Sequence, residues 1–587
     1  MLARVSRRAA LAHRSRLLPA PAPALLHSAV PALAVPVRSL GRAVLGVGLA
    51  STFAASLLAL QPQPALPPLP PAPVLAPPSL AELAPRCVQL MVLFCPLSLL
   101  APLAYLLPRL RASFYALLTL TLARAGPAFT KWGQWAATRP DLFPPLLCAA
   151  LSRLHSSVPA HSYQATQRAV SLAFGAPVHE LFELFEKTPV GSGSIAQVHR
   201  AVLRSQDGAP GLEVAVKVRH PGVEQRMRTD FAILGRLASA LELLPAFDGL
   251  RVRETLAQFA HVVSAQVRLD CEGRNLLQLR RNFARAPQIG AGFPMPHVHY
   301  IAHGVLVESF EPGMPLEGAV ASARTAAALH ASLRAHALAH GLPVPPLPPR
   351  CETSLSADEA SRVVRAGKEA YLQMLLVDNF IHADLHPGNI LLRQTPGRWP
   401  RLTLVDAGMV DRLSRDESNA FVGLFRAMGD GDGRAAARAL LACGELRVSE
   451  GGASGALSIA DVARHAAFED SLDALFGKHC RGFRTGADVG AVLRATLGAL
   501  REHRVRLDGR AAAALVNLLC VESFAAALDP QYSLLDGSEL LLRAHGALGS
   551  DVLGVAAAAA APALAALRAA DELLTCRLPF VARGAFA

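Results

Sequence analysis

His382, Asp384 and Asn389 lie in an H-x-D-x-x-x-x-N spacing within FIHADLHPGNILL, and Asp406 follows in LTLVDAG. Phosphoryl transfer from ATP requires one carboxylate beside the attacking oxygen, and a second carboxylate with an amide oxygen to hold Mg²⁺ between the phosphates. Asp384 is the candidate base, and Asn389 and Asp406 are the candidate metal ligands. A polar turn joining a helix to a strand would explain any one of these residues. It does not explain four of them at these offsets, with Ile390-Leu391-Leu392 and Leu402-Leu404-Val405 reading as the flanking strands.

A second group, upstream, supplies the nucleotide side of such a site. VGSGSIAQVHRAVL alternates as a strand around Gly191, Ser192, Gly193 and Ser194, and EVAVKV is a second strand carrying Lys217. Glycines in a hairpin let backbone N–H groups approach phosphate oxygens, and a strand lysine reaches the α and β phosphates. A lone G-x-G is usually a turn; V-A-V-K following 24 residues after the second glycine makes the pair specific. The lysine needs an orienting acid. Glu272 lies in a helical pattern from Phe259 to Phe283 that offers Val262, Val263, Leu269, Leu276 and Leu279 to a core. It is the candidate partner, with a solvated helix acid as the alternative. GVLVE, ending at Glu308, reads as a strand entering a hinge at 309–313 that would meet the nucleotide base. Residues 320–357, rich in Ala, His and Pro, read as an inserted loop, and the chain past Asp411 reads as mostly helical.

Arginine outnumbers lysine 53 to 5. A chain so biased keeps Lys where a compact ammonium on a flexible stem is required. Two of the five, Lys217 and Lys131 of KWGQ, fall in motifs; taken alone, KWGQ is a polar break between helices. Of the net charge of +13, seven units come from Arg4, Arg7, Arg8, Arg14, Arg16, Arg38 and Arg42, with no acid before Glu82. The remaining six are an ordinary surplus, so no nucleic-acid partner is expected. Nine scattered cysteines without a C-x-x-C pair indicate neither a disulfide framework nor a zinc site.

Residues 1–42, Arg-rich and acid-free, have the composition of a mitochondrial transit segment, where a secretory signal would show one apolar core behind a short basic end. Nine of the 18 residues from Gln61 to Pro78 are proline, an extended spacer. Leu90–Leu107 is 18 residues without a charge, just long enough for a single membrane span kinked at Pro96 and Pro102. The alanine run 552–567 gains too little from lipid and reads as a surface helix.

KWGQ, GSGSIAQVH, VAVKV and HADLHPGN occur in this order, and with them the sequence resembles the UbiB, or aarF-domain-containing, family of atypical kinases from about Tyr115 to Leu534. HxDLHPGN alone would also suit small-molecule phosphotransferases of the aminoglycoside and choline kinase type; KWGQ ahead of the small lobe separates the two. The resemblance implies an α+β, protein-kinase-like two-lobe fold with a helical N-terminal KxGQ extension and a helical C-terminal extension. It divides the chain into the transit segment 1–42, linker and membrane segment 43–112, KxGQ extension 113–187, small lobe 188–312, large lobe 313–480 and C-terminal extension 481–587. It further implies Mg-ATP binding and a place at a mitochondrial or bacterial membrane, which with the Leu90–Leu107 span and the transit composition gives a single-pass place at the mitochondrial inner membrane as the expectation. The implied activity is ATP hydrolysis or small-molecule phosphorylation in support of ubiquinone synthesis or lipid metabolism. A membrane lipid, a ubiquinone precursor or a lipid-synthesis complex would be the partner, and a nucleotide-binding scaffold without turnover is the alternative. Lys131 and Gln134 would project toward the phosphates, with KxGQ folded over the site, and Lys217 and Glu272 would form an ion pair. Three departures stand out: Gly191-Ser192-Gly193-Ser194 replaces an Ala-rich loop, Gln266-Val267-Arg268 replaces an acidic E-x-D, and Asp406-Ala407-Gly408 lacks the phenylalanine of D-F-G.

Overall fold

The structure is a computed structural model. It describes residues 77–529, apart from 138–142, 156–157, 206–209, 243–251, 341–354, 396, 444–458, 481–488 and single positions between 504 and 508, and isolated residues as far as 542. The transit segment, most of the proline spacer and the run 552–567 lie outside the described residues.

Helices α1 (Leu80–Leu106), α2 (Arg111–Ala125), α3 (Pro127–Ala137), α4 (Pro145–Leu151), α5 (Tyr163–Phe174) and the single turn α6 (Val178–Leu181) come first. Ser79 and Glu82 form a reciprocal capping box that satisfies first-turn N–H groups of α1. Although Pro85, Pro96 and Pro102 lie within it, α1 runs for 27 residues and starts ten residues before the uncharged stretch. Its buried residues, Leu83, Leu90, Leu97 and Ala104, recur every seven positions. That spacing draws one narrow seam along the helix, and Met91, Val92, Leu99, Leu103 and Leu106 stay exposed.

The small lobe follows from strand alternation. Successive side chains point to opposite faces, so Val214, Val216 and Val218 of EVAVKV turn one way and Ala215 and Lys217 the other. The strands are β1 (Phe182–Phe185), β2 (Gly191–Ser192), β3 (Ala196–Leu203), β4 (Leu212–Arg219), β5 (Ala291–Gly292), β6 (Pro296–Ile301) and β7 (Val305–Ser309). They make an antiparallel sheet in the order β1-β3-β4-β7-β6, with β2 on β3, while β5 joins another sheet. The sheet thus begins at Phe182, six residues ahead of the boundary expected at 188. The three valines of β4 pack with Val305, Val307, Val170 and Phe182 in one apolar core. Between β4 and β5 run α7 (Val223–Leu241), α8 (Val252–Gln266) and α9 (Leu269–Phe283). Val263, Leu269, Leu276 and Leu279 are buried as the periodicity predicts, with a break between two helices at Val267 and Arg268.

In the large lobe, β8 (Met314–Pro315) leads into α10 (Leu316–Ala339). The loop expected over 320–357 is therefore helical as far as Ala339, and 341–354 lie outside the described residues. The Ala-rich half has high helix propensity; averaging it with the prolines after 342 concealed the helix. α11 (Ala357–Leu372) is also capped by a Ser-Glu box and widens into a π turn at Gln373–Val377. β9 (Ile381–His382), β10 (Ile390–Thr395), β11 (Arg398–Leu404) and β12 (Val410–Asp411) follow. β10 and β11 pair antiparallel, with Ile390 opposite Leu404, and β12 returns to β9. This double pairing brings Asp384, Asn389 and Asp406 to one end of two short sheets. Helices α12 (Arg415–Asp430), α13 (Gly433–Cys443), α14 (Ile459–His479), α15 (Val489–Glu502) and α16 (Gly509–Leu528) complete the described lobe around one large apolar core. α16 is apolar enough to cross a membrane but is 67% buried over its apolar window, against 17% for α1, which makes α16 a core helix.

Candidate active site

Lys217 Nζ stands 2.8 Å from Glu272 Oε1 and 3.0 Å from Asp406 Oδ1, so β4, α9 and the segment after β11 meet at one ammonium. Burial alone would lower its pKa, but the charges of Asp406 and Glu272 outweigh burial and keep Lys217 protonated far above neutral pH. Burial acts in the opposite sense on Glu272 and pushes it up to about 7 despite Lys217. Burial opposes ionisation of Asp406 too, yet Lys217 and then Lys131 hold its carboxyl well below the usual range. Asp406 sits at φ 62°, a left-handed conformation uncommon for any residue except glycine. Strain of this kind persists where the surroundings impose it and gathers at functional sites. Here Asn275 of α9 contributes by donating its amide to the Ala407 carbonyl at 2.9 Å.

The catalytic-loop side is held by a buried histidine. His382 Nδ1 accepts from the Asp384 N–H at 3.3 Å, which assigns the ring proton to Nε2, facing the Val405 carbonyl at 3.1 Å. Burial lowers the His382 pKa and favours this neutral form. Asn389 donates its Nδ2 to the Asp384 carbonyl at 3.0 Å, leaving Oδ1 as the atom suited to a cation. Asn517 of α16 donates to the His382 carbonyl at 3.1 Å and accepts from the Leu385 N–H at 3.4 Å. Neither Asn275 nor Asn517 was singled out in the sequence. Each sits in a helical run with no motif around it, and only its bonds to a distant loop reveal its use.

Lys131 of α3 reaches the site, its Nζ 3.9 Å from Asp384 Oδ2. Burial would raise the Asp384 pKa, but Lys131 and then His386 bring it below the ordinary value. Gln134, one turn on, is not brought there: its Nε2 donates to the Leu154 carbonyl at 2.9 Å, tying α3 to the extension itself. Gly133 has a packing reason, since a Cβ there would collide with the Leu154 side chain. KWGQ is thus part of a helix, with a reactive end at Lys131 and a packed end at Gly133 and Gln134. Arg268, in place of the expected acid, turns to Asp270 with Nη2 2.6 Å from Oδ2.

The glycine loop is formed as expected, with Gly191 opposite Val198. A Cβ at Gly191 would meet nothing within 4 Å among the described residues, so these do not require glycine there; close approach of a ligand to the backbone would. The Ser192 carbonyl accepts from Val158 N–H at 3.0 Å, and His220 Nε2 lies 2.9 Å from the Gly193 carbonyl. His220 must donate there, so its Nδ1 accepts from His161 Nδ1 at 2.7 Å, and His161 Nε2 accepts from Thr166 at 3.0 Å. This assignment places one proton on each ring and leaves both neutral. Burial, then the neighbouring His220 and His199, lower the His161 pKa to about 4. The unfolded chain, with an ordinary value near 6.5, binds this proton first, so the contribution to stability is complete above about 6.5 and is lost as pH falls toward about 4. Melting temperature should therefore drop between pH 7 and pH 5, and His161→Asn should flatten that slope. An unchanged slope in the variant would mean that His161 does not titrate as part of these bonds to the glycine loop.

Residues 153–440 match the ABC1 atypical kinase-like domain. A mitochondrial ABC1 family protein of Schizosaccharomyces pombe is 28% identical over 533 residues, covering 78% of this chain and 70% of the relative. One from Saccharomyces cerevisiae is 25% identical over 529 residues, covering 78% and 74%. A probable protein kinase UbiB of Pectobacterium carotovorum is 29% identical over 346 residues, covering 59% and 55%. With its lysine-glutamate pair and the HxDLHPGN loop assembled inside the matched region, this chain carries an ABC1 atypical kinase-like domain and is similar to the ABC1 and UbiB proteins.

Proposed function

We propose that the chain binds Mg-ATP and hydrolyses it or transfers its terminal phosphoryl group to a small molecule at a mitochondrial membrane. The observation that carries this reading is Lys217 held between Glu272 and Asp406, with Asp406 in a left-handed backbone conformation. The donor set fits the group: Asp406 and Asn389 offer hard oxygens suited to Mg²⁺, and the glycine loop and Lys217 suit phosphates. A bound Mg²⁺ would neutralise charge on the phosphate oxygens. Lys217 orients the phosphates, Glu272 holds Lys217 in place, and Asp384 aligns the attacking oxygen. Lys131 on α3, beside Asp384, leaves a small acceptor as the better fit than a peptide. The same contact favours a second reading, a nucleotide-bound scaffold, because it neutralises the carboxylate that would act as base.

The mitochondrial relatives, the acid-free arginine segment and the exposed apolar faces of α1 support the location. Support of ubiquinone or lipid synthesis is the role this location and family suggest. The test is thermal stabilisation of the full chain. A ligand at 100 times its Kd stabilises by about 2.7 kcal/mol. Lys217→Arg, which exchanges a point charge for a wide planar fork, should lose most of the stabilisation by Mg-ATP. Asp406→Asn should lose the part that depends on Mg²⁺. Full stabilisation of both variants would place nucleotide elsewhere.

A further inference from the structure

Glu308 is paired in register with Ala215, and Leu306 with Lys217. Alternation puts these four side chains on one face of the sheet, opposite the valine core formed by Val214, Val216, Val305 and Val307. Along β4 the face reads Lys217, then Ala215, whose small side chain leaves room for a flat ring, with Glu308 directly across. Glu308 is only 8% exposed, and its buried Oε2 has no hydrogen-bond partner among the described residues. A buried polar atom of this kind is costly to maintain, and hydrophobic neighbours on the same sheet show that an apolar residue would fit the strand.

We propose that Glu308 reads the base of the nucleotide, its orphaned Oε2 accepting a hydrogen bond from the 6-amino group of adenine. The inference rests on the Mg-ATP reading above and names the residue that selects the base. Among the described residues, Glu308 feels the charges of Glu272 of α9, Lys217 of β4, Asp406 after β11 and Glu311 beyond β7. Three are acids and one is a base, so the local field favours a ligand group that donates. Burial, followed by the charge of Glu272, pushes the Glu308 carboxyl up to about 8, and the neutral acid still offers a carbonyl acceptor.

The experiment is a ligand-and-residue cycle on the full chain with Mg²⁺, reading Kd by calorimetry and melting temperature for the free protein. The ligands are ATP and purine riboside triphosphate, which carries hydrogen in place of the amino group. A lost bond to a buried acceptor corresponds to about tenfold or more in affinity, so wild type should prefer ATP by that factor. Glu308→Met should bring the two ligands within about threefold of each other, while melting no lower than wild type without nucleotide. Glu308→Gln, which keeps an acceptor, should retain a preference for ATP. Equal ATP preference in wild type and Glu308→Met, or no preference in wild type, overturns the assignment while leaving nucleotide binding intact. Failure of every variant and wild type to bind either ligand would instead overturn the Mg-ATP reading and this one with it.

Discussion

Asp384→Asn should slow ATP turnover by about 10²-fold or more while leaving Mg-ATP stabilisation close to wild type. The backbone of Asp384 is fixed from both sides, by His382 at its N–H and Asn389 at its carbonyl, so an isosteric amide will not disturb the loop. Its side chain is 29% exposed and faces Lys131. With a pKa held below the ordinary value, Asp384 is a weak proton acceptor at neutral pH. Its contribution is then mostly alignment of the attacking oxygen, and an amide with a donor in place of one acceptor misaligns it. The substitution also removes the anion that Lys131 faces, which loosens α3. A Lys131→Met variant separates the two effects, because it frees Asp384 without altering it and should not reproduce the loss. Equal background turnover in wild type and Asp384→Asn, with both still binding Mg-ATP, would favour the scaffold.

The catalytic loop was legible because its chemistry is packed into a short stretch. The register of β10 on β11 follows from alternating apolar residues, and that register places Asn389 and Asp406 together. Lys217 with Glu272 was legible for a different reason: a strand lysine in an arginine-rich chain, and an acid on a periodic helix. Lys131 lies beside Asp384, whereas Gln134 bonds the Leu154 carbonyl. A four-residue motif has no way of showing that its third and fourth residues serve helix packing against Leu154. Asn517 lies 135 residues beyond the loop it supports, and nothing in the local pattern of α16 marks it. The helix at Leu316–Ala339 was hidden by composition averaged across a real boundary. Glu308 was legible as the end of a strand entering the hinge, but the face it occupies required the pairing of β7 with β4.

Arg86→Met should destabilise the folded chain by about 3–5 kcal/mol, the cost of stranding one member of a buried ion pair. Arg86 Nε and Nη2 lie 2.7 and 2.9 Å from the two oxygens of Asp230, and the Asp230 side chain is fully buried. The same guanidinium bonds the Ala125 carbonyl at the end of α2 and the Gln89 amide within α1. One side chain therefore joins α1, α2 and α7. Burial already raises the Asp230 pKa against the pull of Arg86, so without the arginine this acid must take up a proton or draw in water. Replacing both partners, Arg86→Met with Asp230→Leu, should recover most of the loss, because apolar groups of similar volume often match a buried pair. The position gives the result a functional meaning. Arg86 lies at the small-lobe end of α1, and the 20 residues from there to Leu106 rise about 30 Å, the thickness of a bilayer's apolar core. If Arg86 is the latch that fixes this helix to the small lobe, hydrogen exchange in α1 should accelerate in the single variant and return toward wild type in the double. A single variant within about 1 kcal/mol of wild type, with α1 exchange unchanged, would mean that the apolar helix is not anchored to the lobe through this pair.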